Sequence, residues 1–195
     1  MKIITIPNQQ LRQTARNVEV FDKKVLDLIK DMSQTLSQTV SPRGVALAAP
    51  QVDKLYRVLI TRLPTGASAK DKQNTVDPSA FINPVITKHS QKITTGANPK
   101  DPDFEGCLSM PKIWGPVPRW EWIELEYQTV DKTGKVSDHR DRFEAFFARV
   151  LQHEIDHFDG VLFTDYALQY DLPVYLENKK GELVEIEDYS LLESF

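Results

Sequence analysis

Two histidines flank a glutamate in the run His153-Glu154-Ile155-Asp156-His157, near the end of an amphipathic segment. On an α-helix, residues four positions apart lie on one face, about 6 Å apart along the axis. His153 and His157 could therefore donate two imidazole nitrogens to one metal ion, and Glu154 could reach a water on that ion without being a ligand. An accidental histidine pair on an exposed helix face is the alternative. The spacing favours a metal site but does not name a reaction.

A catalytic site of this kind needs at least one more protein ligand and an open position for water. No histidine follows His157, so the three-histidine pattern of some metalloproteases is absent, and Asp159, Asp165 and Glu177 remain as downstream carboxylates. Upstream, Cys107 stands in the context Gly-Cys-Leu-Ser. A lone cysteine is usually a small buried hydrophobic residue. Its glycine neighbour, which allows a tight backbone path, strengthens the case for a thiolate ligand.

The composition predicts one soluble domain over residues 1–195, with a cytoplasmic location. Hydrophobic residues make up 41% of the chain and charged residues 27%, as in an ordinary globular protein. A net charge of −4 gives no electrostatic footprint for DNA. No apolar run approaches the ~20 residues that span a membrane. The single cysteine excludes an intramolecular disulfide and suits a reducing compartment.

Apolar periodicity predicts two helices. In residues 22–39, apolar side chains recur at intervals of three and four, and Asp22 is a suitable N-cap. The segment with the two histidines predicts a second helix over residues 144–158, ending near Gly160. We expect the first helix to pack one face on the core and the second to present the metal ligands.

The remaining elements predict an α+β fold, with antiparallel β-sheets packed around the central metal-site helix. The predicted strands are residues 55–62, 81–93 (interrupted at Pro84), 122–130 and 135–141. Residues 64–78 and 94–103 have the polar composition of surface loops. The tail, from about residue 170 to 195, is predicted as a hairpin of residues 174–176 against 183–186 or as a flexible segment.

Residues 44–51, Gly-Val-Ala-Leu-Ala-Ala-Pro-Gln, are small and apolar and show no periodicity. Small residues let another group approach the backbone closely. By themselves, these eight residues favour a buried turn. The floor of a pocket, with Gln51 pointing into it, is the alternative.

Three segments together resemble, in order and spacing, the three motifs of the peptide deformylase family. They are residues 44–51, residues 105–109 (Glu-Gly-Cys-Leu-Ser) and residues 152–157 (Gln-His-Glu-Ile-Asp-His). The resemblance extends over most of the chain, from about residue 11 to residue 163. The second and third motifs match fully, whereas the first has Ala46 where the family usually has a second glycine.

The resemblance implies a metal-dependent hydrolase that removes the N-formyl group from the formyl-methionine of nascent peptides and releases formate. It implies metal ligation by Cys107, His153 and His157, and Glu154 as general base and acid. It also implies that the Gln51 side-chain amide and the Leu108 backbone N–H stabilise the oxyanion. The implied cofactor is one divalent ion, Fe²⁺ in the cell, with Zn²⁺, Ni²⁺ or Co²⁺ as replacements.

Helical spacing places Phe146 and Val150 on the face of His153 and His157, where they would form an apolar slot for a methionine side chain. For Phe146, an ordinary core position is the alternative. Trp114 stands where many deformylases carry arginine, which predicts a more aromatic pocket rim. The predicted substrate-binding residues are Gly44, Val45, Ala46, Glu105, Gly106, Trp114, Phe146 and Val150.

Further residues are predicted to support the ligand histidines, and two rival functions remain open. A ligating histidine usually donates its second ring N–H to a carboxylate or carbonyl, and Glu105 or Asp156 could accept it, with Arg119 balancing the charge. The rival functions are a metallopeptidase that uses the same helix and a non-enzyme, a deformylase-like protein that retains the fold as a binding module. The polar loops and the tail differ from the shortest bacterial deformylases, which commonly end in a helix, and could mark a subfamily, a transient ribosome contact or neither.

Overall fold

A computed structural model describes residues 1–63, 79–96 and 102–188 of the chain. The predicted loop at residues 64–78 lies outside the described residues, as do positions 97–101 of the loop at 94–103 and positions 189–195 of the tail. The described strands pair antiparallel into sheets that are accompanied by a few helices, so the fold is α+β. Within the described residues, no helix has the length and hydrophobicity needed to cross a membrane.

The elements of the described chain are short. The helices are α1 (Lys23–Gln38), α2 (Ala145–Asp156) and α3 (Phe163–Tyr170), with 3₁₀ turns at Gln9–Arg12, Ala49–Val52 and His157–Asp159. The strands are β1 (Ala46–Ala48), β2 (Val58–Thr61), β3 (Ser79–His89), β4 (Ile93–Thr94), β5 (Phe104–Cys107), β6 (Met110–Pro116), β7 (Arg119–Trp120), β8 (Trp122–Val130), β9 (Val136–Glu144), β10 (Tyr175–Glu177) and β11 (Leu183–Glu185).

The larger sheet has five strands in the order β1-β2-β3-β8-β9. In β8, Ile123, Leu125 and Tyr127 are buried on one face, as the alternating sequence predicts. They pack with Phe81 and with Leu151 of α2 in one apolar cluster. The sheet thus supports α2 along the buried side of the helix.

A second sheet has the order β11-β10-β6-β5, and β4 pairs with β7 in a two-stranded ribbon. In the tail, β10 and β11 form an antiparallel hairpin, and β10 also pairs with β6. The tail hairpin therefore extends the sheet that contains Cys107, which ends β5.

Helix α1 begins where the sequence predicts. The Asp22 side chain accepts hydrogen bonds from the backbone N–H groups of Lys24 and Val25 in the first turn of the helix. The buried face of α1 includes Met32 and Leu36, both with no exposed surface. It packs on the side of the large sheet that also buries Leu47 and Ile60.

Strand β3 differs from the prediction because it continues through Pro84. The pairing of β3 with β8 is irregular between Ile82 and Val85, and Asn83 has a left-handed backbone with φ of 51°. A bulge tolerates a proline, which has no N–H for the strand ladder. The Asn83 side chain also bonds the backbone of Val18, which fixes the bend.

Candidate active site

The two motif histidines lie at the end of α2, where the helix tightens. The predicted helix over residues 144–158 is in fact α2 to Asp156 followed by a 3₁₀ turn from His157 to Asp159. Gly160 closes the turn with φ of 71°, in the left-handed region that glycine adopts without strain. The imidazole centroids of His153 and His157 are 5.1 Å apart.

Cys107 brings a thiol to these imidazoles from the second sheet. One ligand atom from each of Cys107, His153 and His157 lies within 4.8 Å of the others, and all three side chains are buried. The Cys107 Sγ is 3.3 Å from the His157 Nε2. The β5–β6 pairing is irregular between Gly106 and Cys107, and Cys107 pairs with Met110 in a tight return of the chain. This return turns the thiol toward α2.

The donor set suits a divalent transition metal. One sulfur and two imidazole nitrogens are ligands that zinc and ferrous iron both accept. Glu105 Oε2 lies 2.9 Å from His153 Nδ1, which leaves the Nε2 of that ring for a cation. Burial by itself lowers the pKa of His153, but Cys107 and Glu105 outweigh it and raise the value well above its usual range. Both groups thus favour a positive charge beside His153, which a metal ion bound to the neutral ring would supply.

Burial is the largest influence on the second imidazole, and Glu105 opposes it only weakly. It lowers the pKa of His157 well below the usual range, and the neighbouring His153 lowers it further. A neutral imidazole is the form that binds a metal. His157 Nδ1 is a buried polar atom with no hydrogen-bond partner among the described residues.

Glu105 is the centre of a buried charge network. Its carboxylate accepts hydrogen bonds from Arg119 at 3.0 and 2.9 Å and from Arg149 at 2.9 Å. Burial alone would raise the pKa of Glu105, but Arg119 and His153 hold it well below its usual range. Arg119 also donates to Asp156 at 2.5 Å. The predicted carboxylate support for a ligand histidine is therefore present on His153, and Arg119 balances both acids.

Arg149 is a residue that sequence reasoning missed. It is 5% exposed, and its guanidinium also donates to the carbonyls of Val117 and Thr94 at 2.7 and 2.8 Å. Arg149 precedes His153 by four positions and so shares its face of α2. Its place on the helix face of a candidate metal ligand was a signal in the sequence. A buried charge needs a partner, so this arginine could have been predicted to pair with an acid near the site.

Glu154 lies beside the ligand set and is 5% exposed. Its Oε2 atom has no hydrogen-bond partner within the described ranges. Burial raises the pKa of Glu154 to about 7, although the nearby His153 acts in the opposite direction. A carboxyl group with a pKa near neutrality can both accept and return a proton.

Hydrogen bonds to both ends of its side-chain amide fix Gln51 beside Cys107. Its Oε1 accepts from the Ala48 backbone N–H at 2.8 Å, and its Nε2 donates to the Cys107 Sγ at 3.3 Å. The chain around Gln51 forms β1 and a 3₁₀ turn, and Gln51 lines the cavity, so the pocket interpretation of residues 44–51 replaces that of a simple buried turn. Leu108, next to Cys107, also lines the cavity.

A cavity of about 330 Å³ opens over Cys107, His153 and Glu154. Its lining includes every predicted substrate-binding residue, namely Gly44, Val45, Ala46, Glu105, Gly106, Trp114, Phe146 and Val150. The Phe146 side chain is 54% exposed, so the alternative of an ordinary core position for it is wrong. The Glu105 carboxylate is held by the buried ion pairs within this wall. Arg43, Asp103 and Lys112 also line the cavity and were not predicted.

The carboxylates considered as alternative ligands have other contacts. Asp159 accepts from Arg57 at 2.8 Å and Asp165 from Arg12 at 2.6 Å. Glu177 accepts from the indole N–H of Trp114 at 3.1 Å. Among the described residues, the side chains placed so that they could hold a metal ion are Cys107, His153 and His157.

Comparisons with known proteins point to one family. Residues 1–171 match the family model described as polypeptide deformylase. Peptide deformylase 2 of Nostoc sp. is 37% identical over 185 residues, which cover 94% of each chain.

Two solved structures are similar in fold and sequence. The crystal structure of peptide deformylase from Thermotoga maritima has a TM-score of 0.66 and 31% identity, covering 85% of this chain and 95% of that one. The Met-Ala-Ser-bound peptide deformylase of Acinetobacter baumannii has a TM-score of 0.67 and 27% identity, covering 85% and 97%. These matches support a peptide deformylase over the rival functions of metallopeptidase and deformylase-like binding module. The chain belongs to the peptide deformylase family, the metal-dependent hydrolases that remove the N-formyl group from nascent peptides.

Proposed function

We propose that this protein deformylates the N-terminal formyl-methionine of nascent peptides with the residues gathered over its cavity. The observation that carries the assignment of roles is the buried group of Cys107, His153 and His157, with Glu154 beside it and an open cavity above. A buried thiol and two imidazoles at the end of a substrate-sized cavity have the composition of a catalytic metal site.

In this proposal Cys107, His153 and His157 hold one divalent ion, at the end of the helix that carries the His-Glu-x-x-His motif. When bound, the ion polarises the formyl carbonyl and lowers the pKa of a water molecule beside it. The thiolate and neutral imidazoles are compatible with Fe²⁺, Zn²⁺, Ni²⁺ and Co²⁺. Family membership leads us to propose Fe²⁺ as the ion used in the cell.

Glu154 transfers the protons of the reaction. It takes a proton from the attacking water and returns it to the amine that leaves as the methionyl peptide. Burial, which raises the pKa of Glu154 to about 7, suits both steps because the group can change protonation state near neutral pH.

Gln51 and Leu108 stabilise the negative charge that develops on the formyl oxygen. The Gln51 amide is held by Ala48 and Cys107 before substrate arrives, so little reorganisation is needed. The Leu108 backbone N–H would be the second donor. Each preorganised donor of this kind lowers a barrier by roughly 3 kcal/mol.

The cavity wall binds the peptide. Val150 and Phe146 are one and two turns before His153 on α2 and form the slot for the methionine side chain. Gly44 to Ala46 lie on the β1 side of the cavity, and Trp114 lies on the β6 side. The Met-Ala-Ser bound to the A. baumannii relative supports a methionyl peptide as the occupant.

We also propose the domain, the compartment and a partner for this activity. Residues 1–195 act as one catalytic domain in the cytoplasm, where nascent peptides emerge. The tail is a candidate for a transient ribosome contact because β11 exposes Leu183 and Val184.

Metal exchange tests the proposed cofactor. The protein is prepared anaerobically with Fe²⁺, Zn²⁺, Ni²⁺ or Co²⁺ at equal occupancy, and formate release from formyl-Met-Ala-Ser is measured. We expect the Fe²⁺ form to turn over fastest and to lose activity in air, while the Ni²⁺ form keeps its activity. An Fe²⁺ form slower than the Zn²⁺ form would contradict the assignment of iron.

A further inference from the structure

The tail hairpin of β10 and β11 contacts residues that line the substrate cavity. Glu177, the last residue of β10, accepts a hydrogen bond from the Trp114 indole N–H at 3.1 Å. Trp114 lines the cavity, whereas Glu177 is not among the lining residues. Any influence of Glu177 on the substrate must therefore act through the indole.

The opposite end of the indole rests on backbone next to the thiol. A Cβ placed on Gly106 would lie 2.6 to 3.0 Å from three atoms of the six-membered ring of Trp114. The ring thus lies directly against Gly106, which pairs with Trp114 across β5 and β6 and precedes Cys107. The six-membered ring contacts Gly106 and the five-membered ring donates to Glu177, so the indole is held at both ends.

The hairpin makes further contacts along the same wall. Tyr175 of β10 is the strand partner of Trp114, and its ring stacks on Phe104 with centroids 5.0 Å apart. Phe104 also lines the cavity. The carbonyl of Pro173 would be 3.2 Å from a Cβ on Gly115, which shows how closely the tail approaches β6. Two aromatic residues of the cavity wall therefore depend on β10 for their position.

We propose that Glu177 is a positioning residue that holds Trp114 as the aromatic wall of the substrate cavity. This inference rests on the proposed function, because it assigns Trp114 to peptide binding in that cavity. An indole that loses its N–H partner is free to rotate away from Gly106, which widens the cavity beside Cys107. Glu177 would then affect how tightly the peptide binds and leave the proton transfers of Glu154 unchanged.

A set of variants measured on the full chain loaded with Ni²⁺ tests this. We expect Glu177→Ala to raise KM for formyl-Met-Ala-Ser about fivefold with kcat nearly unchanged, the size expected for one half-exposed hydrogen bond to a charged group. Glu177→Gln keeps an oxygen acceptor and should restore KM. The control Glu185→Ala removes a carboxylate from the exposed neighbouring strand and should leave KM unchanged.

A double-mutant cycle separates positioning from hairpin stability. In a Trp114→Phe background the N–H is absent, so adding Glu177→Ala should have no further effect on KM. An equal rise of KM in both backgrounds, or an unchanged KM in Glu177→Ala itself, would overturn the inference.

The indole N–H resonance of Trp114 in a ¹⁵N spectrum provides a readout that does not need activity. We expect this resonance to shift in Glu177→Ala and to stay in place in Glu185→Ala. If the resonance does not shift in Glu177→Ala, the inference is overturned even when the enzyme is active. A fully metallated wild type that releases no formate would overturn the proposed function instead, while the resonance still tests the contact of Glu177 with Trp114.

Discussion

At the scale of single residues, Glu105 links the ligand set to the rest of the molecule. It is 7% exposed and forms ion pairs with Arg119 and Arg149 in addition to its contact with His153. Removing one partner of a buried ion pair leaves the other charge without compensation, which is far more damaging than losing an exposed pair. Glu105 therefore supports both folding and the orientation of His153, the proposed metal ligand.

We expect Glu105→Gln to lower the free energy of unfolding by about 3 kcal/mol, because two buried guanidinium groups lose their shared anion. Metal affinity should fall roughly 10- to 100-fold, since His153 loses its carboxylate support. Urea unfolding and competition with a chelator measure the two effects. Glu121→Gln is the matched control, because Glu121 pairs with Lys92 on the exposed surface. Equal stability of the two variants would contradict this account of the network.

Val150 tests the proposed methionine slot. Val150 is 8% exposed and lines the cavity one turn before His153. We expect Val150→Trp to raise KM for formyl-Met-Ala-Ser, because the larger ring occupies space needed by the methionine side chain, while metal content stays unchanged. Steady-state kinetics with metal analysis check this. An unchanged KM would remove Val150 from the binding site.

At the scale of elements, the start of α2 is strained where the helix enters the cavity wall. Ala145 has φ of 51°, a left-handed backbone that costs a residue with a Cβ about 1 to 2 kcal/mol. Its backbone N–H donates to the Glu121 carbonyl at 2.9 Å, which fixes the turn from β9 into α2. The next residue is the exposed Phe146 of the cavity lining. The strained turn thus coincides with the rim of the site.

Replacing Ala145 by glycine should stabilise the protein. Relief of the left-handed strain outweighs the larger entropy of glycine in the unfolded chain, so Ala145→Gly should raise the free energy of unfolding by about 0.5 to 1 kcal/mol. Ala148→Gly, at a buried position inside α2, should instead lower it by at least about 1 kcal/mol. Urea denaturation compares them, and a loss of stability in Ala145→Gly would refute the strain at this turn.

At the scale of the whole molecule, the site lies where the two larger sheets meet. Gln51 follows β1 of the five-stranded sheet, Cys107 ends β5 of the four-stranded sheet, and His153 lies on α2. A metal bound to Cys107 and His153 would join the four-stranded sheet to α2, which packs on the five-stranded sheet. The tail hairpin completes the four-stranded sheet on the side of Trp114.

Local patterns explain why some elements could be predicted from the sequence. The periodic apolar residues and Asp22 cap of α1 and the alternation in β8 both appear in the structure. Strands β5 and β6 were not predicted because apolar and polar residues do not alternate along them. Strand β6 also contains two prolines, Pro111 and Pro116. Helix α3 was also missed, since the apolar residues of this eight-residue element show too little periodicity.

Contacts between residues far apart in the sequence limit how much of the site could be predicted. The cluster of Cys107, His153 and His157 was predicted, because the spacing of the two histidines suits a metal site and because the motifs resemble those of the family. The pairing of Arg149 with Glu105, which are 44 positions apart, has no local signal for the contact itself. The same holds for Glu177 and Trp114, which meet only because β10 adds to β6.

The central claim is that Glu154 performs proton transfer beside a metal held by Cys107, His153 and His157. The most direct measurement is formate release from formyl-Met-Ala-Ser by protein loaded anaerobically with Fe²⁺ or Ni²⁺, compared with Glu154→Gln at equal metal content. We predict robust turnover by the wild type and a loss of about 10²- to 10⁴-fold in the variant, the usual contribution of general acid–base catalysis. Turnover that survives in Glu154→Gln, or a fully metallated wild type that releases no formate, would contradict the account.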